Sequence, residues 1–133
     1  MSLVLGNQGE QIALEALVNK TAPQTLVLRL YTNDYTPVEA SVEGSFTEAS
    51  GNGYAAINLT PASNWAVTPG APTDAAFPQQ VFTFTGPLGN VFGYYITQVT
   101  SGKHVWGERF TDGPYNIVNN GDQIKITLHI TLE

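Results

Sequence analysis

The segment that decides the fold lies at the end of the chain, where residues 124–132 have the sequence IKITLHITL. Ile or Leu occupies every second position, and Lys, Thr or His fills the positions between them. Alternate side chains of a β-strand point to opposite faces, so this pattern predicts a strand with one buried face and one solvated face. The sequence NNGD at 119–122 is typical of a turn that leads into such a strand.

Further strands are predicted upstream, where the apolar pattern has a period of two and is interrupted by Gly, Pro, Asn and Asp. A tight turn at 101–103 predicts that the strands on either side of it pair, and a second hairpin is predicted between 79–85 and 91–99. About eight antiparallel strands without βαβ alternation predict an all-β sandwich, with a jelly roll favoured over an immunoglobulin-like topology. The upstream candidates are 25–32, 45–48, 54–59, 65–67, 79–85, 91–99, 104–110 and 115–118.

One short helix is predicted before the strands, over residues 9–20. Its apolar residues recur at helical spacing and form a wide face, so we expect the helix to pack against another element. This face consists of Ile12, Ala13, Leu14, Ala16, Leu17 and Val18. Residues 1–24 are therefore predicted to form an N-terminal arm with a short helix, and residues 25–133 a single sandwich domain.

The composition narrows the function classes. Charged residues make up 12% of the 133 residues and the formal charge is −6, with five scattered Lys and Arg, so a basic nucleic-acid-binding stripe is not expected. The absence of cysteine excludes disulfides and thiolate metal sites. No apolar run approaches the roughly 20 residues that span a bilayer, and the N-terminus lacks the features of a signal peptide. We therefore expect no membrane partner and synthesis in a cytoplasm.

Candidate catalytic residues are few. His104 and His129 are the only histidines, and both are predicted to lie on the surface rather than beside a nucleophile. Glu108 is an acid in the interior of a predicted strand, which makes it the best candidate for a hydrolase, although an ion pair with Arg29, Arg109 or Lys125 is expected instead. We therefore predict no catalytic residue and no cofactor.

Three turn residues are the only candidates for a metal site. Asp112, Asn120 and Asp122 lie near glycines and offer oxygen ligands of the kind that Ca²⁺ prefers. Asn and Asp in turns usually accept hydrogen bonds from the nearby backbone, and this simpler interpretation is preferred. No resident metal is predicted.

Aromatic residues are candidates for contacts with a partner. Tyr94 and Tyr95 are adjacent in a predicted strand and must point to opposite faces, so one of them is expected on an outer surface. Trp65 lies in the proline-rich connection 60–78, where it is a candidate for stacking on a sugar ring or on a protein partner. Tyr115 is a further candidate for a protein contact.

Several stretches, taken in order, resemble small all-β bacteriophage virion proteins. They are LRLYTNDYTP at 28–37, FTEA at 46–49 with GY at 53–54, GYYI at 93–96, VWGERF at 105–110 and NGDQIKI at 120–126. Within that group the chain looks most like a head decoration, or cement, protein. The resemblance implies a non-enzymatic protein that binds the major capsid protein on the outer shell of the virion. Phage tail and fibre proteins are also similar, which leaves a receptor-binding or carbohydrate-binding role as the alternative.

The partner-binding surface is predicted from exposed apolar and aromatic residues. Leu3 and Leu5 belong to an N-terminal segment interpreted as an arm that reaches a neighbouring subunit, and Trp65, Tyr95 and Tyr115 are the aromatic candidates. A symmetric homodimer or homotrimer is expected, because self-association increases the number of contacts made with a repeated lattice.

Overall fold

A computed structural model describes residues 4–132, which form antiparallel β-sheets and one α-helix. Two single-turn 3₁₀ helices lie at Glu43–Ser45 and Ala62–Asn64. The elements are β1 (Val4–Leu5), α1 (Asn7–Leu17), β2 (Leu26–Tyr31), β3 (Ile57–Asn58), β4 (Ala66–Thr68), β5 (Thr73–Thr83), β6 (Gly89–Val91), β7 (Gly93–Gln98), β8 (His104–Arg109), β9 (Tyr115–Ile117) and β10 (Gln123–Leu132).

The strands form three sheets in the described part of the chain. The largest has the order β1-β8-β7-β2-β3, the second has the order β10-β5-β4, and β6 pairs with β9 in a two-stranded sheet. Every pair is antiparallel. The predicted all-β class is therefore confirmed, as are the final strand and the hairpin between β7 and β8.

One apolar core contains side chains from both larger sheets. On β10, Ile124, Ile126 and Leu128 are buried as their alternation predicts, whereas Leu132 at the strand end is exposed. The five-stranded sheet contributes Leu28, Leu30, Ile96, Val105 and Trp106, and β5 contributes Phe77 and Phe82. Burying a large apolar side chain contributes about 1.5–3 kcal/mol, so this shared core is the main source of stability.

A second, smaller cluster lies on the opposite face of the five-stranded sheet. Phe46 stacks on Tyr95 with ring centroids 4.4 Å apart and meets Tyr31 edge-on at 5.0 Å. The connection between β2 and β3 covers this face and is held in place by Asn33, whose side chain bonds the backbone at Ser45 and Thr47. The outer face of β2 and β7 is therefore buried.

Several predicted strands and pairings were wrong. Residues 45–48 form the end of a 3₁₀ turn and a single bridge between Tyr31 and Glu48 rather than a strand. Only Ile57–Asn58 of the predicted 54–59 strand pairs with a neighbour. The predicted hairpin between 79–85 and 91–99 does not form, because β5 pairs with β10 and β4 while β7 pairs with β2 and β8. Alternation marks a strand but does not select its partner.

Helix α1 begins at Asn7, two residues earlier than predicted, and ends at Leu17. Asn19 follows with a φ of 58°, its N–H bonds the Ala16 carbonyl at 3.1 Å, and the Lys20 N–H bonds the Glu15 carbonyl at 2.8 Å. This pair of bonds is a Schellman motif, which satisfies the last carbonyls of the helix and stops it.

Gly9 brings α1 into close contact with β8. A Cβ atom at this position would lie 2.1 Å from the Val105 carbonyl oxygen, far inside van der Waals contact. Only glycine allows this approach, which places Ile12 against the core and leaves the far side of the helix away from the sheets.

Candidate functional site

An apolar groove runs between α1 and the end of the three-stranded sheet. Its volume is about 350 Å³, and no charged side chain lines it. The small side chains of Ala13 and Ala16 leave this space open on the helix side. The lining includes Ile12, Ala13 and Ala16 from the helix and Val67, Ile130 and Leu132 from the strands.

The outward face of α1 continues this apolar surface. Leu14 is 62% exposed and Leu17 is 79% exposed, and Val18 just beyond the helix is 68% exposed. Ala13 is exposed as well, and it shares a face with Leu14 and Leu17 because these positions are three to four residues apart. We call Ala13, Leu14, Leu17 and Val18 the helix patch.

The helix patch differs from isolated exposed apolar residues. Beside the groove, Val67 and Leu132 are also largely exposed, so apolar surface extends from the helix across to two strands. Contiguous exposed apolar surface marks sites of association in folded proteins. The sequence signal was the unusual width of the apolar face of α1. The contribution of Val67 and Leu132 was missed because both lie on strands far from α1 in sequence.

The residues predicted to bind a partner do not form one site. Leu5 is half-buried and lines the groove, and Leu3 lies outside the described residues. Trp65 is half-buried and meets Phe77 edge-on at 5.0 Å, so its ring belongs to the edge of the core rather than to an open platform.

The other two aromatic candidates lie elsewhere. Tyr95 is buried under Phe46, so the prediction that one of the tyrosines at 94 and 95 is exposed was wrong, and Tyr95 cannot contact a partner in this fold. Tyr115 is half-buried against Phe110, and its hydroxyl donates a hydrogen bond to Asp112.

His104 is fully buried, contrary to the prediction of an exposed residue. Its ring lies 5.0 Å from that of Phe46, and neither ring nitrogen has a hydrogen-bonding partner among residues 4–132. Burial lowers the pKa of the imidazole to about 4, although the nearby Glu43 carboxylate opposes this effect. The Glu43 carboxylate accepts a hydrogen bond from the backbone N–H of His104 at 3.1 Å.

His129 lies on the exposed face of β10, as predicted. Its Nδ1 atom is 3.2 Å from Oδ1 of Asp74 on the neighbouring strand β5. This is a cross-strand surface pair, and water reaches more than half of the histidine side chain.

Glu108 accepts a hydrogen bond from the Tyr94 hydroxyl at 2.9 Å. The predicted ion pair of Glu108 with Arg29, Arg109 or Lys125 was wrong for the described residues. Arg109 contacts Asp34 at 2.6 Å, Arg29 contacts both carboxylate oxygens of Glu48, and no salt bridge joins Lys125 to Glu108 within residues 4–132. Burial raises the pKa of the Tyr94 hydroxyl, so it stays protonated and acts as a donor to Glu108.

The Arg29–Glu48 ion pair belongs to a hydrogen-bond network that holds the connection between β2 and β3 against the five-stranded sheet. Nη1 of Arg29 lies 3.0 and 2.9 Å from the two carboxylate oxygens of Glu48, and Nε donates to the Thr97 hydroxyl at 2.9 Å. The Tyr54 hydroxyl donates to Glu48 at 2.7 Å. A single nitrogen of Arg29 therefore contacts both carboxylate oxygens of Glu48, and the Tyr54 hydroxyl is a further donor to the same carboxylate.

Asp122 bonds to the nearby backbone, as the simpler interpretation predicted, whereas Asp112 accepts its hydrogen bond from the Tyr115 hydroxyl. Asp122 accepts hydrogen bonds at 3.0 Å from the backbone N–H groups of Val118 and Asn119, and these bonds lower the pKa of its carboxyl. No group of three or more acidic or histidine side chains within residues 4–132 is placed to hold a metal ion. In the same range, no helix is long and apolar enough to cross a bilayer.

Comparisons with known protein families, with curated proteins and with solved structures find no match for this chain. The fold and the apolar surface around α1 therefore carry the functional interpretation.

Proposed function

We propose that this chain is a bacteriophage structural protein that decorates and stabilises the capsid by binding the major capsid protein on the outer shell of the virion. Its location would be the exterior of the capsid, and assembly would take place in the host cytoplasm. The observation that supports the proposal is the apolar surface formed by the helix patch and the groove. This surface projects from a β-rich body whose buried polar groups serve packing, so it is the part of the described chain best suited to contact another protein.

For the body of the protein we propose a jelly-roll sandwich. Two observations support it: all strand pairs are antiparallel, and the two larger sheets share one core. A jelly roll places loops and edge elements at its ends, where contacts with a lattice can vary without disturbing the core.

A binding role without catalysis fits the distribution of polar side chains. His104 is buried without a partner, Glu48 is bonded to Arg29 and Tyr54, and His129 sits on an open surface. A general acid or base has to reach a substrate, which the buried His104 does not, and the candidate acid Glu108 accepts a hydrogen bond from the Tyr94 hydroxyl. We therefore propose no enzymatic activity and no cofactor.

The stabilising effect would come from repetition. A protein present in many copies on a shell needs only modest affinity at each position, because links between neighbours convert later binding events into intramolecular ones. The low proportion of charged residues, 12%, favours contacts through shape and apolar surface.

The test is to add the purified protein to capsids that lack it and to image the particles by cryo-electron microscopy. We expect density for this chain at symmetric positions on the outer shell and greater resistance of the filled capsids to heat. Density on the tail alone would overturn the capsid assignment and support the tail or receptor-binding alternative. The packed position of Trp65 gives a sugar-binding role no structural support at that residue.

A further inference from the structure

We infer that protonation of His104 opens one segment of the connection between β2 and β3, residues 38–44, while the sheets stay folded. Three elements meet at this side chain: β8, which carries it, the start of α1, and the connection. The inference goes beyond the proposed function and does not depend on it, because all the contacts involved lie within one chain.

The first support is the position of the imidazole. The ring is fully buried, and Nδ1 and Nε2 have no hydrogen-bonding partner within residues 4–132. One edge of the ring faces Gly6, where a Cβ atom would lie 3.3 Å from Cδ2 of His104 and 3.4 Å from the Glu39 carbonyl oxygen. The start of α1 and the connection therefore cover this edge together. A charge buried without partners is costly, so the protonated ring requires contact with water.

The groups packed around His104 do not compensate a positive charge. Burial lowers the pKa of the imidazole to about 4 even though the Glu43 carboxylate raises it. Burial also raises the pKa of the Tyr95 hydroxyl, on the neighbouring strand, to about 12, so that group is neutral. Lys103 precedes His104 in the chain, and its side chain lines a separate polar pocket together with Glu15. The closed arrangement therefore favours the neutral ring.

The second support is the loose packing of segment 38–44. Ser41 is the only one of its residues that is buried. The Ser41 hydroxyl accepts a hydrogen bond from the Val38 N–H at 2.9 Å and lies 2.6 Å from the Tyr35 hydroxyl, and both partners belong to the same connection. Opening of this segment exposes little apolar surface, so its free-energy cost is small compared with that of global unfolding.

Two hydrogen bonds join this segment to other elements within residues 4–132. The Asn7 N–H, at the start of α1, donates to the Glu39 carbonyl at 2.8 Å. The backbone N–H of His104 donates to the Glu43 carboxylate at 3.1 Å. Both bonds lie beside the covered imidazole, so movement of the segment that brings water to the ring breaks them.

The third support is that the far end of the connection is attached independently. The Thr32 N–H donates to the Thr47 carbonyl at 2.8 Å, and the Ala49 N–H donates to the Leu30 carbonyl at 2.9 Å. These backbone bonds hold residues 47–49 beside β2 and do not involve His104. Segment 38–44 can therefore open while this end remains in place.

The direction and size of the effect follow from proton linkage. An imidazole in water has a pKa of 6.5, and the covered ring has a pKa of about 4, so opening is favoured as the pH falls from 6.5 through 4. Between pH 7 and pH 5 the equilibrium constant for opening is expected to rise about twentyfold, because at pH 5 the open form is protonated and the closed form is not.

The test is amide hydrogen exchange followed by NMR at pH 7 and pH 5, expressed as protection factors so that the intrinsic pH dependence of exchange is removed. The amides of Asn7 and His104 are expected to lose protection about twentyfold. The amides of Thr32 and Ala49 should change less than about twofold, because their bonds stay closed. Equal losses at all four amides, or no loss at Asn7 and His104, would overturn the inference.

Two variants test the origin of the effect, with the Asn7 amide as the reporter. In His104→Phe the protection of Asn7 is expected to change less than about twofold between pH 7 and pH 5, because no group titrates beside Phe46. His129→Gln is the matched control and should keep the twentyfold loss, since His129 lies on the exposed face of β10. The same loss in His104→Phe would show that another group is responsible. If His104→Phe does not fold, the four amides of the original chain still decide the question, because that comparison needs no variant.

Discussion

Acidification is expected to destabilise this protein through His104. The side chain is 0% exposed, and burial lowers its pKa from 6.5 to about 4. The unfolded chain therefore takes up a proton at a higher pH than the folded chain does. The stabilising contribution of the neutral imidazole is fully present above pH 6.5 and is lost as the pH falls from 6.5 through 4.

The size of the effect follows from this pKa difference. Each pKa unit corresponds to about 1.4 kcal/mol, so lowering the pH from 8 to 4 is expected to remove about 3 kcal/mol of the free energy of unfolding. A domain of this size typically has a stability of 5–15 kcal/mol, so the loss is on the order of a third of the total.

The assay is denaturant unfolding followed by tryptophan fluorescence at several pH values between 8 and 4. The informative variant is His104→Phe, which keeps an aromatic ring beside Phe46 but has no group to protonate. We expect this variant to lose about 3 kcal/mol less than the original chain over the same range. The control is His129→Gln, which replaces the other histidine, at an exposed position, and so tests whether the effect belongs to His104.

The comparison between variants removes the contribution of the acidic residues, which titrate in all of them. If the original chain and His104→Phe lose stability in parallel between pH 8 and pH 4, His104 is not buried as a neutral group. An NMR titration that places the imidazole pKa near 6.5 would contradict the same conclusion independently.

Two further predictions concern local packing. Gly9→Ala is expected to lower the free energy of unfolding by about 3 kcal/mol or more in denaturant unfolding, because the added methyl group collides with the Val105 carbonyl. The control Gly44→Ala places its methyl group in open space and should cost less than about 1 kcal/mol. Equal effects would show that α1 does not require this close contact. In a double-mutant cycle, Arg29→Met and Glu48→Gln should show a coupling free energy of about 1 kcal/mol, because the pair is partly exposed. A coupling near zero would show that this ion pair does not stabilise the fold.

Sequence patterns located many elements but not their partners. The alternation at 124–132 and at 25–32 identified β10 and β2, because each pattern reflects the two-residue period of a single strand. The predicted hairpin between 79–85 and 91–99 was wrong because β5 instead pairs along most of its length with β10, about forty to sixty residues away in sequence. The choice of partner strand depends on which apolar faces pack together in the core, and the alternation within one strand does not indicate this choice.

The histidines illustrate the same difference at the level of single residues. Both occur in predicted strands, and both were expected at the surface. His129 is exposed because β10 presents that face to water, whereas His104 is covered by Phe46, which arrives from a segment almost sixty residues earlier. Phe46 from the same distant segment also covers Tyr95.

The sequence by itself determined the β class, the position of the helix and the excess of apolar residues on it. These properties follow from the periods of the backbone, which are local to each segment. Only the tertiary structure decided which residues are covered, because burial depends on contacts between distant segments. Gly9 fixes the depth at which α1 sits on β8, and at that depth Ile12 packs against the core while Leu14 and Leu17 remain exposed.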